Sequence, residues 1–465
     1  MAGRLLLFAL PLMFSNLLQT LYMMVDMVVV GKFVGTNCLS AVSIASQLIF
    51  LLTMVGMAFS SSGQILISQI VGSKKTKELN STIGTLFSSL GILSLLFLIL
   101  VVIFRDSMLA IMNTPPESLK SANDYMLITG LGIPFIFGYN VVGAILRGMG
   151  DSKRPLVFVA IASVMNIVLD LIFVAVFHLD AAGAALATII SQAASFIIAM
   201  VYLYGKREQF GFDFKLRSLK IDRSKLGLIT KLGIPISLQY CAINLSMLFV
   251  NSFINSYGVT ASALVGSGRR MEQIPGIVTM AIGQSASVMI GQNFAAGKFE
   301  RIKRIVAISC LTGFVTYLAY GIYINLFPKT IFLLFTDDPD VLELASLFIT
   351  SITVAFPALA FMTPFMAVIN GIGHARLSLL AGILDGVVAR VALALLLGIT
   401  LGFGFKGFLY GTSLAAYVNT LVCCIYYFSG YWKKRSSLVA RAKHDDQSGD
   451  ESDGESGAAA APISD

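Results

Sequence analysis

The chain has 465 residues, of which 56% are hydrophobic and only 12% are charged, and its mean hydropathy is +0.83. A soluble domain carries about 25% charged residues, so this composition leaves too little polar surface to face water and excludes a soluble globular protein. The net charge of +8 would suit nucleic-acid binding, and the positions of the basic residues must decide that question.

Twelve hydrophobic runs, each long enough to cross a bilayer, follow one another up to residue 432. A spanning helix needs about 20 mainly apolar residues, and several runs are longer, so we expect tilted or kinked helices. The prolines inside runs are candidate kinks: Pro11, Pro134, Pro235, Pro275, Pro357 and Pro364. The predicted spans are 5–34, 39–70, 83–104, 124–146, 156–178, 182–204, 226–257, 261–294, 303–327, 343–370, 378–402 and 406–432.

Lysine and arginine are distributed unequally between the two sides of these spans. If the N-terminus lies inside, the inner segments hold 25 of them and the outer loops hold 5. Cytoplasmic loops of membrane proteins are enriched in these residues. We therefore predict a multi-pass protein of the plasma (inner) membrane with both termini in the cytoplasm. The basic charge is then a topology signal, and no nucleic-acid partner is expected.

The charged segment 205–225 divides the spans into two sets of six. We predict an N-terminal lobe over residues 1–204, a cytoplasmic linker over 205–225 and a C-terminal lobe over 226–432. Residues 433–465 continue into a stretch rich in Asp, Glu, Ser and Gly, a composition that cannot bury a core. We expect this segment to be a disordered acidic tail in the cytoplasm.

The two halves of the chain repeat each other at a shift of about 223 residues, and matches that keep one offset in order are rarely accidental. Leu10-Pro11 matches Ile234-Pro235, Ile67-Ser68-Gln69 matches Ile290-Gly291-Gln292, Pro134 matches Pro357, and Gly148-Met149-Gly150 matches Gly371-Ile372-Gly373.

A shift of six helices is even, so both halves cross the membrane in the same direction and are related by an axis along its normal. The predicted fold is an all-α membrane protein with twelve transmembrane helices in two pseudo-symmetric six-helix lobes. The natural substrate site is the cleft between the lobes, and rocking of the lobes permits alternating access. A channel needs no such duplication.

Two carboxylates, Asp26 and Asp170, lie inside spans of the first lobe. A charged group in hydrocarbon is costly and marks a functional site by default. Each acid is about eight residues, or about 12 Å, from the outer end of its span. Asn166 shares the helix face of Asp170, Thr188 lies at a similar depth, and Tyr125 opens the fourth span on the same side. The acids could share one proton or cation, or the group could be a hydrogen-bonded network that only joins helices.

The second lobe presents a different pattern of intramembrane charge. Glu272 follows Arg269 and Arg270, and Asp385 precedes Arg390 by five residues. These residues form a possible second-lobe site centred on Glu272, Asp385 and Arg390. Alternatively, each acid is neutralised by an arginine in a structural ion pair.

A polar loop follows the fourth span. Gly148 and Gly150 allow a tight turn at the membrane surface, and Asp151 can cap the next helix or pair with Arg147 or the basic residues that follow. We predict a structural or gating role for Arg147, Gly148, Gly150 and Asp151, away from the substrate.

Several of these stretches resemble the multidrug and toxic compound extrusion (MATE) family, of prokaryotic type, over about residues 1–432. The most specific stretch is the loop RGMGDSKRP at 147–155. The others are VVGKFVG at 29–35, NIVLD at 166–170, GAALAT at 183–188, Pro275 and GQN at 291–293.

The resemblance implies a secondary active transporter that exports amphipathic organic cations or drugs in exchange for H⁺ or Na⁺. It implies that Asp26, Asn166, Asp170 and Thr188 form the cation or proton site, with Tyr125 nearby. We expect no cofactor and no metal beyond a monovalent cation. The expected partners are a small amphipathic solute and the bilayer, and we expect the protein to be a monomer. Some family members bind sodium through second-lobe acids, but the stretch 358–370 has no acid.

Other functions fit less well. A lipid-linked saccharide flippase of the same superfamily would carry cationic cavity residues and often fourteen spans. An unrelated transporter or a channel is a third reading. We do not expect an enzyme, because the sequence has no nucleotide-binding loop, metal cluster or Ser-His-Asp set, and its three histidines lie at or beyond span ends.

Overall fold

The computed structural model describes residues 1–333 and 338–440, with the side chains of residues 36 and 37 excepted. Twelve of the described helices are long and apolar enough to cross a membrane, as predicted. They are α1 (Ala2–Phe33), α2 (Thr36–Gly72), α3 (Leu79–Ile111), α4 (Pro116–Gly148), α5 (Lys153–Val176), α6 (Asp180–Gly205), α7 (Arg223–Asn255), α8 (Val259–Ala295), α9 (Phe299–Leu326), α10 (Pro339–Ile372), α11 (Ala375–Thr400) and α12 (Gly404–Phe428).

The helices pack as two lobes, α1–α6 and α7–α12, and the all-α two-lobed architecture is confirmed. The buried apolar cluster of the first lobe runs from Val29 to Phe212 and takes in Leu228 and Leu232 from the start of α7. Two further clusters lie within the second lobe or against it. Since no water reaches these side chains, apolar contact holds each lobe together. All six prolines predicted as kinks lie inside spanning helices.

Two spanning helices change pitch inside their length. In α5 the segment Leu171–Val176 is π-helical and begins directly after Asp170. In α11 the segments Leu384–Arg390 and Leu396–Thr400 are π-helical. The wider turn is uncommon and occurs often at functional sites. Each lobe therefore places a π-helical turn beside one of its intramembrane acids, Asp170 in the first lobe and Asp385 in the second.

The linker is fastened to the first lobe. It contains the short helices Arg207–Phe210 and Leu216–Leu219. Asp222 then caps α7 by accepting hydrogen bonds from two backbone N–H groups of the first turn, and it also accepts one from Ser81 of α3 at 2.7 Å. Next to it, Lys225 forms an ion pair with Glu78 at 2.6 Å. We call the end of the bundle that carries this linker the linker end, and the opposite end the far end.

A symmetric pair of hydrogen bonds joins the lobes at the linker end. Gln69 of α2 donates its side-chain amide to the carbonyl oxygen of Gly371 at 2.9 Å. Gln292 of α8, its repeat equivalent, donates to the carbonyl oxygen of Gly148 at 3.2 Å. A Cβ at Gly148 would lie 2.9 Å from the backbone oxygen of Gln64, so glycine is needed for close helix contact. We call the four residues Gln69, Gly371, Gln292 and Gly148 the clasp.

The beginning of the predicted tail is ordered, which corrects that expectation for residues 433–440. Trp432 is buried and donates its indole N–H to the carbonyl of Tyr427 at 3.0 Å. Leu438 and Val439 are 2% and 1% exposed, and the backbone N–H of Leu438 donates to Gln69 at 2.8 Å. Leu438 and Val439 are apolar, and their burial against the first lobe orders this part of the chain. Residues 441–465 lie outside the described residues, so the disorder predicted for them stays a prediction.

Candidate functional site

The structure brings the polar residues predicted in the first lobe into one buried cluster. Asp170 of α5 is 0% exposed and Asn166, one turn before it, is 2% exposed. The side-chain amide of Asn166 donates to the hydroxyl of Thr188 on α6 at 3.5 Å. Asp26 of α1 and Thr188 are half-buried, and Tyr125 of α4 is buried. Four helices therefore contribute to this group, which we call the first-lobe acid cluster.

Three of the four carboxylate oxygens of the cluster have no hydrogen-bond partner among the described residues. Neither carboxylate oxygen of Asp170 has a hydrogen-bond partner among the described residues, and the same holds for one oxygen of Asp26 and for the amide oxygen of Asn166. These atoms are also shielded from solvent. A buried charge without a partner is strongly unfavourable, so the arrangement calls for a proton or a cation between the acids.

The electrostatics of the cluster point the same way. The charge of Asp26 acts directly on Asp170, Tyr22 and Tyr125, so these groups share one electrostatic environment. Two ionised carboxylates at close range in a medium of low dielectric constant repel each other. A single positive charge shared by the two carboxylates is therefore more favourable than no positive charge or two positive charges. The donor set, carboxylate, amide and hydroxyl oxygens, suits either H⁺ or Na⁺.

Sequence reasoning missed two members of this cluster. Tyr22 interacts electrostatically with Asp26 and Asp170, and Gln192 lies beside it. Tyr22 lies four residues before Asp26, and Gln192 lies four residues after Thr188. Residues four apart share a helix face, so extending each predicted face by one turn would have found both.

The second lobe contains a cavity of about 290 Å³ between α7, α8, α10, α11 and α12. Its polar lining includes Arg269, Glu272, Asp385, Arg390 and Asn419, and its wall is otherwise mainly apolar. All three residues of the predicted second-lobe site therefore face one space. Two basic and two acidic side chains balance each other there.

The second-lobe acids differ from the first-lobe pair in having arginine neighbours. Arg390 donates to Asp385 at 2.9 Å in a buried ion pair, and Asn419 donates to the other oxygen of Asp385 at 3.4 Å. Glu272 interacts electrostatically with Arg269 and Arg390. Arg269 itself donates to Asn251 at 2.9 Å. For Asp385 the geometry is that of a structural ion pair with arginine, which is the alternative that the sequence also allowed.

The loop after α4 lies at the linker end and is remote from both clusters. Asp151 accepts hydrogen bonds from the backbone N–H groups of Lys153 and Arg154 and pairs with the Arg154 guanidinium at 3.2 Å. Arg147 turns away from it and donates to Gln64 at 2.8 Å. Gly150 has a φ of +93°, a conformation that favours glycine. The loop thus caps α5 beside the clasp.

Fold and buried site together define a membrane protein of two repeated six-helix lobes with an unneutralised acid pair in one lobe. The MatE family model matches residues 11–172 and 235–396, two segments that start 224 residues apart. The chain belongs to this family of membrane transporters, in agreement with the resemblance noted from the sequence.

Individual relatives agree with this assignment. The chain is 31% identical to the probable multidrug resistance protein YoeA of Bacillus subtilis over 73% of this chain and 74% of the relative. It is 26% identical to the multidrug export protein MepA of Staphylococcus haemolyticus, covering 91% and 92%. A solved structure of a MOP superfamily transporter from Pyrococcus furiosus superposes with a TM-score of 0.87 at 23% identity, covering 94% and 97%, and so has the same fold.

Proposed function

We propose that this protein exports small amphipathic organic cations by alternating access, in exchange for H⁺ or Na⁺. The observation that carries the proposal is the pair Asp26 and Asp170, whose buried carboxylate oxygens lack partners among the described residues. A group that must hold a positive charge when buried can drive a conformational cycle by gaining and losing it. The names of the relatives, multidrug resistance and multidrug export proteins, support drugs as the substrate class.

We place the linker end in the cytoplasm and the protein in the plasma membrane. The loops at the linker end hold most of the lysines and arginines, and such loops remain inside. In this orientation the clasp closes the cytoplasmic end of the cleft. The first-lobe acid cluster, in the far half of its helices, then lies towards the outside.

The coupling step follows from the charge of the acid cluster. A proton or Na⁺ arriving from the outside neutralises the acid pair and changes its hold on Asn166 and Thr188. Pro11 already weakens α1, so this helix can bend in response and release substrate outward. When the charge leaves towards the cytoplasm, the pair repels again and the lobe resets. No cofactor is required, and one chain suffices as a monomer in the bilayer.

The surfaces available support the proposed substrate class. The second-lobe cavity is lined by methionine and phenylalanine side chains together with two basic and two acidic side chains. The apolar residues include Met247, Met362, Met366 and Phe348. Flexible thioethers and aromatic faces adapt to loosely specified apolar ligands. A small amphipathic cation fits this description better than a large saccharide lipid.

The test is transport of a fluorescent organic cation, ethidium, in proteoliposomes with an imposed proton or sodium gradient. We expect export that depends on one of the two gradients and is lost when the gradient is collapsed by an ionophore. Equal transport with and without either gradient would overturn coupling. Transport of a lipid-linked saccharide in place of ethidium would favour the flippase.

A further inference from the structure

A pocket of about 500 Å³ opens at the linker end where three segments of the first lobe meet. Its walls are the first turns of α1, the loop between α4 and α5, and the end of the linker helix Arg207–Phe210. The pocket lies outside both polar clusters. Three basic side chains and one acidic side chain belong to its lining: Arg4, Lys153, Arg154 and Asp151. The pocket therefore carries a net positive charge.

Two of the basic groups are free to bind a ligand. The side chains of Arg4 and Lys153 are exposed and have no hydrogen-bond or ion-pair partner among the described residues. Arg154, in contrast, pairs with Asp151 and lies over the ring of Tyr202 at 5.7 Å. Asp151 also accepts two backbone hydrogen bonds, so it does not neutralise the other two cations. An anion is the ligand that Arg4 and Lys153 lack.

The apolar side of the pocket faces the bilayer. Leu7 lines the pocket and is 61% exposed, and Leu10, one turn further along α1, is 47% exposed. Because the clasp joins the lobes at this end, exposed leucines here contact the surroundings of the bundle, which are hydrocarbon. Arg4 precedes Leu7 by three residues, or about 4.5 Å along the helix axis. A ligand on Arg4 therefore lies at the level where lipid headgroups join their acyl chains.

We propose that this pocket binds an anionic phospholipid, with the phosphate on Arg4 and Lys153 and an acyl chain along Leu7. Guanidinium and ammonium groups bind phosphate well, and basic pockets between spanning helices suit anionic headgroups. Gln209, which lines the pocket, is exposed, and its amide can donate to the hydroxyls of a glycerol headgroup. A zwitterionic lipid is less favourable, because its ammonium group would enter a pocket that is already positive.

The apolar wall favours a lipid over a soluble phosphate as the source of the anion. Leu7 and Phe8 line the pocket beside the basic groups, and only a lipid has an acyl chain that can cover them. A soluble phosphate would leave this wall exposed. A lipid is also already confined to the layer in which the pocket opens, so its local concentration is high.

A bound lipid would join the inner ends of the two helices that carry the acid pair. Arg4 lies in the first turn of α1, which carries Asp26, and Lys153 is the first residue of α5, which carries Asp170. Pro11 lies between Arg4 and Asp26. With the first turn of α1 held, Asp26 moves by bending at Pro11 and not by tilting of the whole helix, so the lipid would speed the coupling step. This consequence rests on the proposed function, whereas lipid binding does not.

Photolabelling tests the lipid site directly. The full-length protein would be reconstituted in phosphatidylcholine vesicles that contain phosphatidylglycerol with a diazirine near the start of one acyl chain, irradiated, and mapped by mass spectrometry. We expect labelling of residues 4–8 and 149–154, at least about fivefold above that by a phosphatidylcholine probe with the same chain, since each basic group attracts an anionic lipid by about that factor. Excess inorganic phosphate should not compete. Equal labelling by the two probes, or loss of the label with inorganic phosphate, would overturn the proposal.

Charge variants locate the phosphate. Arg4→Gln with Lys153→Gln should lower labelling by phosphatidylglycerol at least about tenfold, whereas Arg4→Lys with Lys153→Arg should keep most of it. The matched control, Arg217→Gln with Lys220→Gln, removes one arginine and one lysine that are exposed in the linker outside the pocket, and it should label normally. Unchanged labelling of the Arg4 and Lys153 variant, or an equal loss in the control, would contradict the site.

Ethidium export tests the consequence for coupling. The wild-type protein should export about two- to fivefold faster in vesicles with phosphatidylglycerol than in phosphatidylcholine alone, since one charge contact is worth about that factor. Arg4→Gln with Lys153→Gln should lose this difference, and the linker control should keep it. A difference that persists in the variant after its label is lost rejects the effect on coupling and leaves the lipid site supported. Labelling without gradient-driven export in any vesicle would count against the proposed function and not against the lipid site.

Discussion

The two lobes repeat one fold but treat intramembrane charge in opposite ways. In the first lobe, Asp26 and Asp170 share an environment without a basic neighbour, and buried carboxylate oxygens remain without partners among the described residues. In the second lobe, Asp385 is held by Arg390 and Asn419. An acid bound to arginine has its counter-charge within the protein, whereas two buried acids without partners are favoured by a proton or a cation between them. The difference supports the proposed coupling role of the first lobe and a structural role for the ion pair of the second.

The largest expected effect is on transport through the first lobe. Asp26→Asn or Asp170→Asn should lower gradient-driven ethidium export in proteoliposomes at least about tenfold, because the pair can no longer gain and lose a charge. The double variant should be no worse than either single one, since both break the same unit. Asp124→Asn, an exposed acid on α4, is the matched control and should transport normally. Gradient-dependent transport by the double variant would move coupling to Glu272 or Asp385.

The second prediction sets the stability of the lobes against each other. Asp385→Asn leaves the Arg390 guanidinium buried without its anion and should destabilise the protein by about 3–5 kcal/mol. Asp170→Asn removes an unneutralised group and should leave the thermal unfolding midpoint in detergent unchanged or higher. The double change Asp385→Leu with Arg390→Met should recover most of the loss. Equal destabilisation by Asp385→Asn and Asp170→Asn would erase the contrast between the lobes.

The third prediction tests the near symmetry of the clasp. Gln69 makes two hydrogen bonds across the seam, to Gly371 and Leu438, whereas Gln292 makes one. With about 1 kcal/mol for each bond, Gln292→Leu should raise the population open at the linker end about fivefold and Gln69→Leu should raise it further. Distances between spin labels on the two lobes would measure this. Gln47→Leu, at an exposed position of α2, serves as the control; equal shifts in both clasp variants would show that the Leu438 contact adds nothing.

The smallest effect is expected at the loop after α4. Asp151→Ala removes the cap of α5 and an exposed ion pair, a loss of about 1 kcal/mol. Transport should fall modestly while ethidium affinity in detergent stays unchanged, because the loop lies at the linker end. Asp151→Asn, which can keep the capping bonds, should retain most of the rate. A weaker affinity in the Ala variant would place the loop in the substrate path.

Much of the architecture could be predicted from the sequence, for physical reasons. The thickness of the hydrocarbon requires long apolar helices, so twelve spans are visible in the composition, and the repeat of Gly148 and Gly371 reveals two lobes. Helical periodicity and depth were enough to place Asp26, Asn166, Asp170 and Thr188 at one level in the outer half of the first lobe, since both use distances along one helix or a constraint imposed by the membrane itself. The grouping of these residues into one site was implied by the family resemblance.

Other features were decided only by the tertiary structure. The bonds from Gln69 to Gly371 and Leu438 join residues that are more than 300 positions apart, and no local pattern specifies such a contact. The sequence left open whether Asp385 is paired, and the structure shows its ion pair with Arg390 inside the π-helical segment Leu384–Arg390. Burial of Leu438 and Val439 depended on an apolar seam formed by α7 and the first lobe. Local periodicity determines which face a residue occupies, but only the packing of distant helices determines what that face meets.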